Sequence, residues 1–301
     1  MAFTISKGPV AWLTNAALQG MIGATKLLPH SARVRTVGAI MAALSGPAGY
    51  LTRAVDNLAM VWPDMPAPKR KALAKEVARN AGRTLIENYS HSSFGALARK
   101  SPLSGPGLAA MHEAIQTGRP VIFLTGHFGN YEALRWALLD QGIEVGGLYR
   151  AMANVYFNAH YVRTMEDMSG PVFEQGRRGT AGFVKHLKSG GLAVLLFDIY
   201  EKHGVKLPFM GHDAPTATSA AELALKYDAL LIPFFAIRQA DGLTFSVELD
   251  APLAHTNPEQ MMLEATQALE ARITRHPDQW FWIHRRWKSH RNRGRAPELL
   301  D

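Results

Sequence analysis

The stretch "VIFLTGHFGNYEALRWALLDQG", residues 121–142, decides the reading of this chain. Four apolar residues run into Thr-Gly-His, as a buried strand runs into a turn. A second glycine, a polar Asn and an apolar-periodic segment carrying Glu132 follow. On one continuous helix, residues five apart point about 140° away from each other. His127 and Glu132 can therefore approach only if His127 lies in a strand-to-helix turn and Glu132 in the first helical turn. Gly126 and Gly129 permit such a turn, and Asn130 is a favourable helix cap. The histidine then falls at the carboxyl end of a strand, where open α/β sheets place their ligands.

Working outward, the chain changes texture near residue 100. Before it, residues 34–46 and 68–91 show helical spacing, separated by the proline-rich "VWPDMPAPKR" (61–70). After it come short apolar runs, "VIFL" (121–124), "AVLLF" (193–197) and "LLIPFFAI" (230–237), and the alternating "LTFSVEL" (243–249). Helical patterns lie between them at 131–140, 155–168, 180–189 and 217–227. The order predicts an α/β fold, a mixed, mostly parallel sheet flanked by helices, with a helical N-terminal region. The expected division is a helical region over 1–100, possible seat of membrane association, and an α/β core over 101–301, together one continuous domain. A final helix is capped by Asn257, opened by Pro258 and stopped by Pro277.

With 301 residues, 47% of them hydrophobic, the chain can bury a large core. Its net charge of +8 favours anionic partners: nucleic acid, lipid head groups or an acidic carrier protein. There is no cysteine, which excludes disulfides and thiolate catalysis. No residue between Lys7 and Lys26 is charged, yet Thr14, Asn15, Gln19 and the glycines make this segment too polar to span a bilayer. It reads as an amphipathic helix, packed on the domain or lying in a membrane interface. The twelve histidines are scattered, and neither H-E-x-x-H nor paired Cys spacing occurs, so no metal and no other cofactor is expected. His212 and Asp213 read as a loop.

A histidine can take a proton at neutral pH, and a nearby carboxylate fixes its tautomer. No G-x-S-x-G elbow accompanies it, so a covalent hydrolase is unsupported. The simplest use of such a pair is to deprotonate a substrate hydroxyl for direct attack. The bland alternative is a turn histidine bonded to backbone. Asp198 ends the run "AVLLF", where a buried acid needs a partner. Two partners are open: His127, giving a relay across neighbouring strands, or Arg150. Glu201 is close enough in sequence to share the role. Arg150 ends the strand-like "IEVGGLY" and is either a phosphate contact or a structural ion pair. Arg177 and Arg178 lie in a loop before a helix, as anion ligands or as a solvated pair. The basic tail "HRRWKSHRNRGR" (284–295) suits a membrane interface, nucleic acid or plain solvent. Trp280, Phe281, Trp282 and Ile283 should pack on the core.

"GHFGNYE" resembles the H-x₄-D/E block of glycerolipid-type acyltransferases. The rest of the chain narrows the resemblance to the lauroyl/myristoyl-type lipid A biosynthesis acyltransferases. "VDNLAMVWPD" (55–64) with "GRTLIENY" (82–89) is similar to their N-terminal block. "YRAMANVYFNAHYVRTM" (149–165) is similar to their Arg-containing block. "LLFDIY" (195–200) and "PFMGHDAPTATSAAELALKYDALLIPFFAIR" (208–238) resemble their Asp and F-x-G-x-x-A segments, and "PDQWFWIHRRWK" (277–288) their C-terminal signature. The chain departs in lacking a convincing membrane span, and in carrying Ile199 where Asp-Gln is common.

The resemblance implies transfer of a fatty acyl chain from acyl carrier protein, or acyl-CoA, to a hydroxyl of an anionic phosphoglycolipid. The place would be the cytoplasmic face of the inner membrane, held peripherally, with no nucleic-acid partner. His127 would be the base, with Glu132 and Asp198 in the catalytic set. Arg150, Asn130, Arg177, Arg178 and Glu201 would contact substrate. Two alternatives stand beside this: the same fold acting on another glycolipid or a lysophospholipid, and a non-catalytic basic protein binding membrane or nucleic acid.

Overall fold

The computed structural model describes residues 6–288. Five helices come first: α1 (Pro9–Thr25), α2 (His30–Leu44), α3 (Tyr50–Val61), α4 (Ala67–Asn88) and α5 (His91–Ala98). The sheet region follows as β1 (Leu103–Ser104), α6 (Gly107–Thr117), β2 (Val121–Thr125), α7 (Glu132–Leu139), β3 (Val145–Tyr149), α8 (Val155–Glu166), β4 (Val172–Glu174), α9 (Arg177–Lys188) and β5 (Leu192–Leu196). Then come β6 (Val205–Phe209), β7 (His212–Thr216), α10 (Ser219–Tyr227), β8 (Leu230–Arg238), β9 (Phe245–Leu249) and α11 (Pro258–Arg275).

The main sheet has strand order β1-β9-β8-β2-β5-β3-β4. Every pairing is parallel except β8 with β9. The mixed, mostly parallel sheet predicted by the apolar runs is therefore present. Successive residues of β2 feed opposite cores, as the period of a strand requires. Ile122 and Leu124 join a cluster with α9, α10 and α11. Val121 and Phe123 join a second one with α5, α6, α7 and α8. Burial on both faces explains why β2 is an unbroken apolar run. In α11, the Asn257 Oδ1 accepts from the Gln260 amide at 2.9 Å and Pro258 fills the first turn, as its punctuation predicts.

Two readings are corrected. His212 and Asp213 are not a loop but the first residues of β7, in an antiparallel hairpin with β6. The hairpin strands have only five residues each, with a proline in both, and β7 ends in three consecutive buried residues, so its signal is weak. In the basic tail, Arg286 and Trp287 are each 1% exposed. Arg286 donates to the carbonyls of Pro215 and Ile199 and to the Thr216 hydroxyl, pinning the chain end to β7. Within 284–288 Arg286 and Trp287 are core, Arg285 is exposed, and residues 289–295 of the tail lie outside the described residues. Trp280, Trp282 and Ile283 pack on the core as their aromatic surface demands.

The uncharged segment near the N-terminus is helical over α1, but only Ala11 and Asn15 of it are buried. Val10, Trp12, Leu13 and Met21 face outward. No helix among the described residues is long and apolar enough to cross a membrane.

Candidate active site

The register of β2 against β5 builds the centre of the site. Thr125 lies opposite Leu196, and the Phe197 amide donates to the Thr125 carbonyl at 3.1 Å. One residue further on each strand reaches the turn, and the next residues are His127 and Asp198. The Asp198 Oδ1 lies 2.7 Å from the His127 Nδ1. Its Oδ2 accepts the His127 backbone amide and the Trp280 indole N–H, both at 2.8 Å. Burial alone would push this carboxyl up. The neighbouring His127, through its charge and its hydrogen bonds, outweighs that and holds Asp198 well below the usual carboxylate range. A carboxylate on Nδ1 fixes the tautomer and leaves Nε2 for substrate. Of the two partners open to Asp198, the structure selects His127.

Both glycines of "GHFG" are needed for this geometry. A side chain at Gly126 would lie 2.9 Å from the Asp198 Oδ2. Gly129 has φ +55°, and a Cβ there would run into the Ala236 carbonyl. The C-terminal segment closes the turn from the other side: Gly129 donates to the Gln279 carbonyl and Phe281 to that of His127, both at 2.9 Å.

Glu132 opens α7, as expected, but its carboxylate turns away from His127. It pairs with Arg135 at 2.9 Å, and both side chains are buried. Arg135 also donates to the carbonyls of Val145, Met165 and Ser169. The approach of Glu132 to His127 that the sequence allows is not used for a bond: one helical turn gives the carboxylate a nearer cation. Asn130 is fully buried; its Oδ1 accepts the Glu132 amide at 3.2 Å, and its Nδ2 donates to Glu87 and Asn88. Glu87 in turn forms a buried ion pair with Arg238. The asparagine side chain is thus committed within the protein.

His127 and the Glu132–Arg135 pair line a cleft of about 260 Å³, together with Tyr149, Arg150 and Leu195. His127 has 31% of its side chain exposed, enough to meet a ligand there. A second cavity, of about 430 Å³, adjoins it and shares Arg150 and Gln175. Arg150 is therefore at the junction. Arg177 and Arg178 are exposed at the start of α9, beyond the end of β4. Glu201 lies in the turn after Asp198, where its carboxylate accepts the His203 amide at 3.4 Å. Thr125 is fully buried and its hydroxyl points to the Gly126 carbonyl at 3.4 Å.

Sequence reasoning missed two residues here. Trp280, expected only to pack on the core, bonds Asp198. His284, the first residue of the basic tail, has its ring centroid 4.4 Å from that of His127. His127, Asp198 and His284 bring ligand atoms within 4.8 Å of one another. Both Asp198 oxygens are already engaged by N–H groups, which describes a hydrogen-bonded dyad rather than an open ligand set. No local pattern marks residues 280 and 284, because both reach the site from the far end of the chain.

The family profile described as bacterial lipid A biosynthesis acyltransferase matches residues 3–289. A lipid A biosynthesis acyltransferase of Haemophilus influenzae is 25% identical over 254 residues, covering 81% of this chain and 79% of the relative. A lipid A biosynthesis lauroyltransferase of Escherichia coli is 24% identical over 245 residues, covering 77% of each. A palmitoleoyltransferase of the same species and pathway is 25% identical over 243 residues, again covering 77% of each. A profile match over almost the whole chain, on a fold that delivers a His–Asp dyad into a cleft, places this protein in the bacterial lipid A biosynthesis acyltransferase family, and it is an acyltransferase.

Proposed function

We propose that the protein moves a fatty acyl chain from a thioester, on acyl carrier protein or CoA, to a hydroxyl of a lipid A precursor by direct transfer. The observation that carries this is the His127–Asp198 dyad, with Nδ1 on the carboxylate and the ring open to the cleft. The His127 Nε2 takes the acceptor O–H proton. The oxygen attacks the thioester carbonyl and the C–S bond breaks. The imidazolium returns the proton to the departing thiolate. Asp198 stays ionised throughout and stabilises the imidazolium, as in other His–Asp pairs. Glu132 acts through Arg135, fixing the cleft wall. Arg150, at the mouth of the adjoining cavity, is placed to meet an acceptor phosphate, for which guanidinium is suited. Arg177 and Arg178 lie at the outer rim of the same end of the sheet and add positive potential.

No acyl-enzyme is needed. The chain has no cysteine. Thr125, two residues before His127, is sealed in the core. The reaction is therefore sequential, with donor and acceptor bound together.

The membrane is the expected source of the acceptor, at the cytoplasmic face of the inner membrane. Asn154, whose Oδ1 caps α8, donates through its Nδ2 to the Ala11 carbonyl of α1 at 2.8 Å. Since α8 supplies Tyr161 and Met165 to the cleft, the outward apolar residues of α1 stand close to it. An interfacial helix there would bring the cleft to the head-group level.

The test is an assay of the purified protein with an acyl-carrier-protein thioester and a phosphorylated, acylated glucosamine disaccharide. The expected result is acceptor gaining the mass of one acyl chain, with intersecting initial-rate lines. Parallel-line kinetics together with an acylated protein by intact-mass spectrometry would overturn direct transfer.

A further inference from the structure

His284 lies in a segment where Trp282, Ile283, Arg286 and Trp287 are buried. Among the described residues its ring is the nearest aromatic to His127: 4.4 Å between centroids at 76°, against 6.0 Å for Tyr131 and 6.4 Å for Phe281. Phe281 backs it at 4.7 Å in a second edge-to-face contact. Its main chain is fixed twice. The His284 amide donates to the Phe281 carbonyl at 3.1 Å, and the His284 carbonyl accepts from the Asn57 Nδ2 at 2.9 Å. Asn57 is itself buried in α3 and also holds the Trp282 carbonyl at 2.7 Å. The ring is therefore placed rigidly from two directions.

Among the described residues the His284 side chain has no hydrogen-bond partner that would explain a histidine for folding. Its Nε2 is buried without a partner. An unsatisfied buried nitrogen is a cost, and such costs persist where a site needs them. Burial and the nearby His127 press its pKa down to about 3, Asp198 opposes them, and Arg286 and Arg53 add to the lowering. A second positive charge beside a protonated His127 is thus avoided. Held neutral, the ring behaves as an aromatic wall.

We propose that His284 is a positioning residue: its ring confines the His127 imidazole to the orientation in which Nδ1 meets Asp198 and Nε2 meets the cleft. Without it, His127 has open space on one face and can rotate off the carboxylate. The hydrogen bond to Asp198 fixes one edge of the ring, and the His284 contact fixes its tilt. Misplacement of a reacting group by as little as 1 Å costs on the order of 100-fold in rate. The consequence for turnover rests on the proposed acyl transfer; the consequence for His127 itself does not.

The test combines a spectroscopic and a kinetic readout on the full-length protein, comparing His284→Ala with His284→Phe. The spectroscopic signal is the downfield Nδ1 proton of His127, identified by its loss in His127→Ala. In His284→Ala this signal should broaden away while circular dichroism remains native. In His284→Phe, which keeps a neutral ring, it should persist. In the transfer assay His284→Ala should lose about 10- to 100-fold in kcat with KM little changed, and His284→Phe should keep most of its turnover. A sharp, unshifted Nδ1 proton in folded His284→Ala would overturn the proposal whether or not the protein transfers acyl chains. Loss of the signal in both variants would overturn it too, because the ring would then not be what positions His127.

Discussion

Asp198 carries three N–H donors on two oxygens, and its ionised state follows from them. Replacing it with Asn keeps the shape but removes the charge that stabilises the imidazolium. Asp198→Asn should lower kcat by about 10²–10⁴-fold with substrate binding nearly intact, read from initial rates over donor and acceptor concentration. The pH dependence of folding has a definite sign. Asp198 is held below its unfolded value, so its contribution is present above about pH 4 and is lost as the pH falls. His284 is held at about 3 against 6.5 in the unfolded chain, so unfolding takes up a proton there and stability falls progressively between these values. Melting temperatures measured from pH 7 to pH 4 should decline in the native chain and decline less in His284→Phe. At this scale the sequence exposed His127 and both candidate acids, but not which of them bonds His127. Glu132 is five residues away in the chain, and Asp198 is its partner only because β2 and β5 are neighbours in register. Spacing along a chain reports local geometry; a contact across strands depends on which strands pair.

Among the elements, α7 is almost wholly buried and carries a charged pair into the protein. A buried charge left without its partner costs roughly 3–5 kcal/mol. Glu132→Ala should therefore lower the melting temperature strongly, by stranding Arg135, and Glu132→Ala combined with Arg135→Met should recover most of it. Full thermal stability in Glu132→Ala with activity abolished would instead mean that Glu132 acts on substrate. The elements that sequence made visible are those with a strong hydrophobic period: β2, β5, β8, β9 and α11 lie within a few residues of their expected bounds. The two-residue β1, the three-residue β4 and the hairpin of β6 and β7 were not visible. Short edge strands have too few residues to show a period, and the Pro208 and Pro215 of the hairpin argue against strand unless the pairing is known.

For the molecule as a whole, the basic charge and the outward apolar face of α1 point the same way. Binding to vesicles containing anionic lipid should weaken with added salt, because charge supplies part of it. Trp12→Asp should weaken it further without changing the fold, measured by co-sedimentation. Salt-independent binding that survives Trp12→Asp would remove α1 from the attachment surface. All of these features matter only if the assembled protein uses its dyad to activate an acceptor hydroxyl. The most direct measurement is acyl transfer by purified His127→Ala, with its fold checked by circular dichroism and the acylated glycolipid quantified by mass spectrometry. The account predicts a loss of at least about 10²–10⁴-fold in turnover with native secondary structure retained. Near-normal turnover by the folded variant would contradict it.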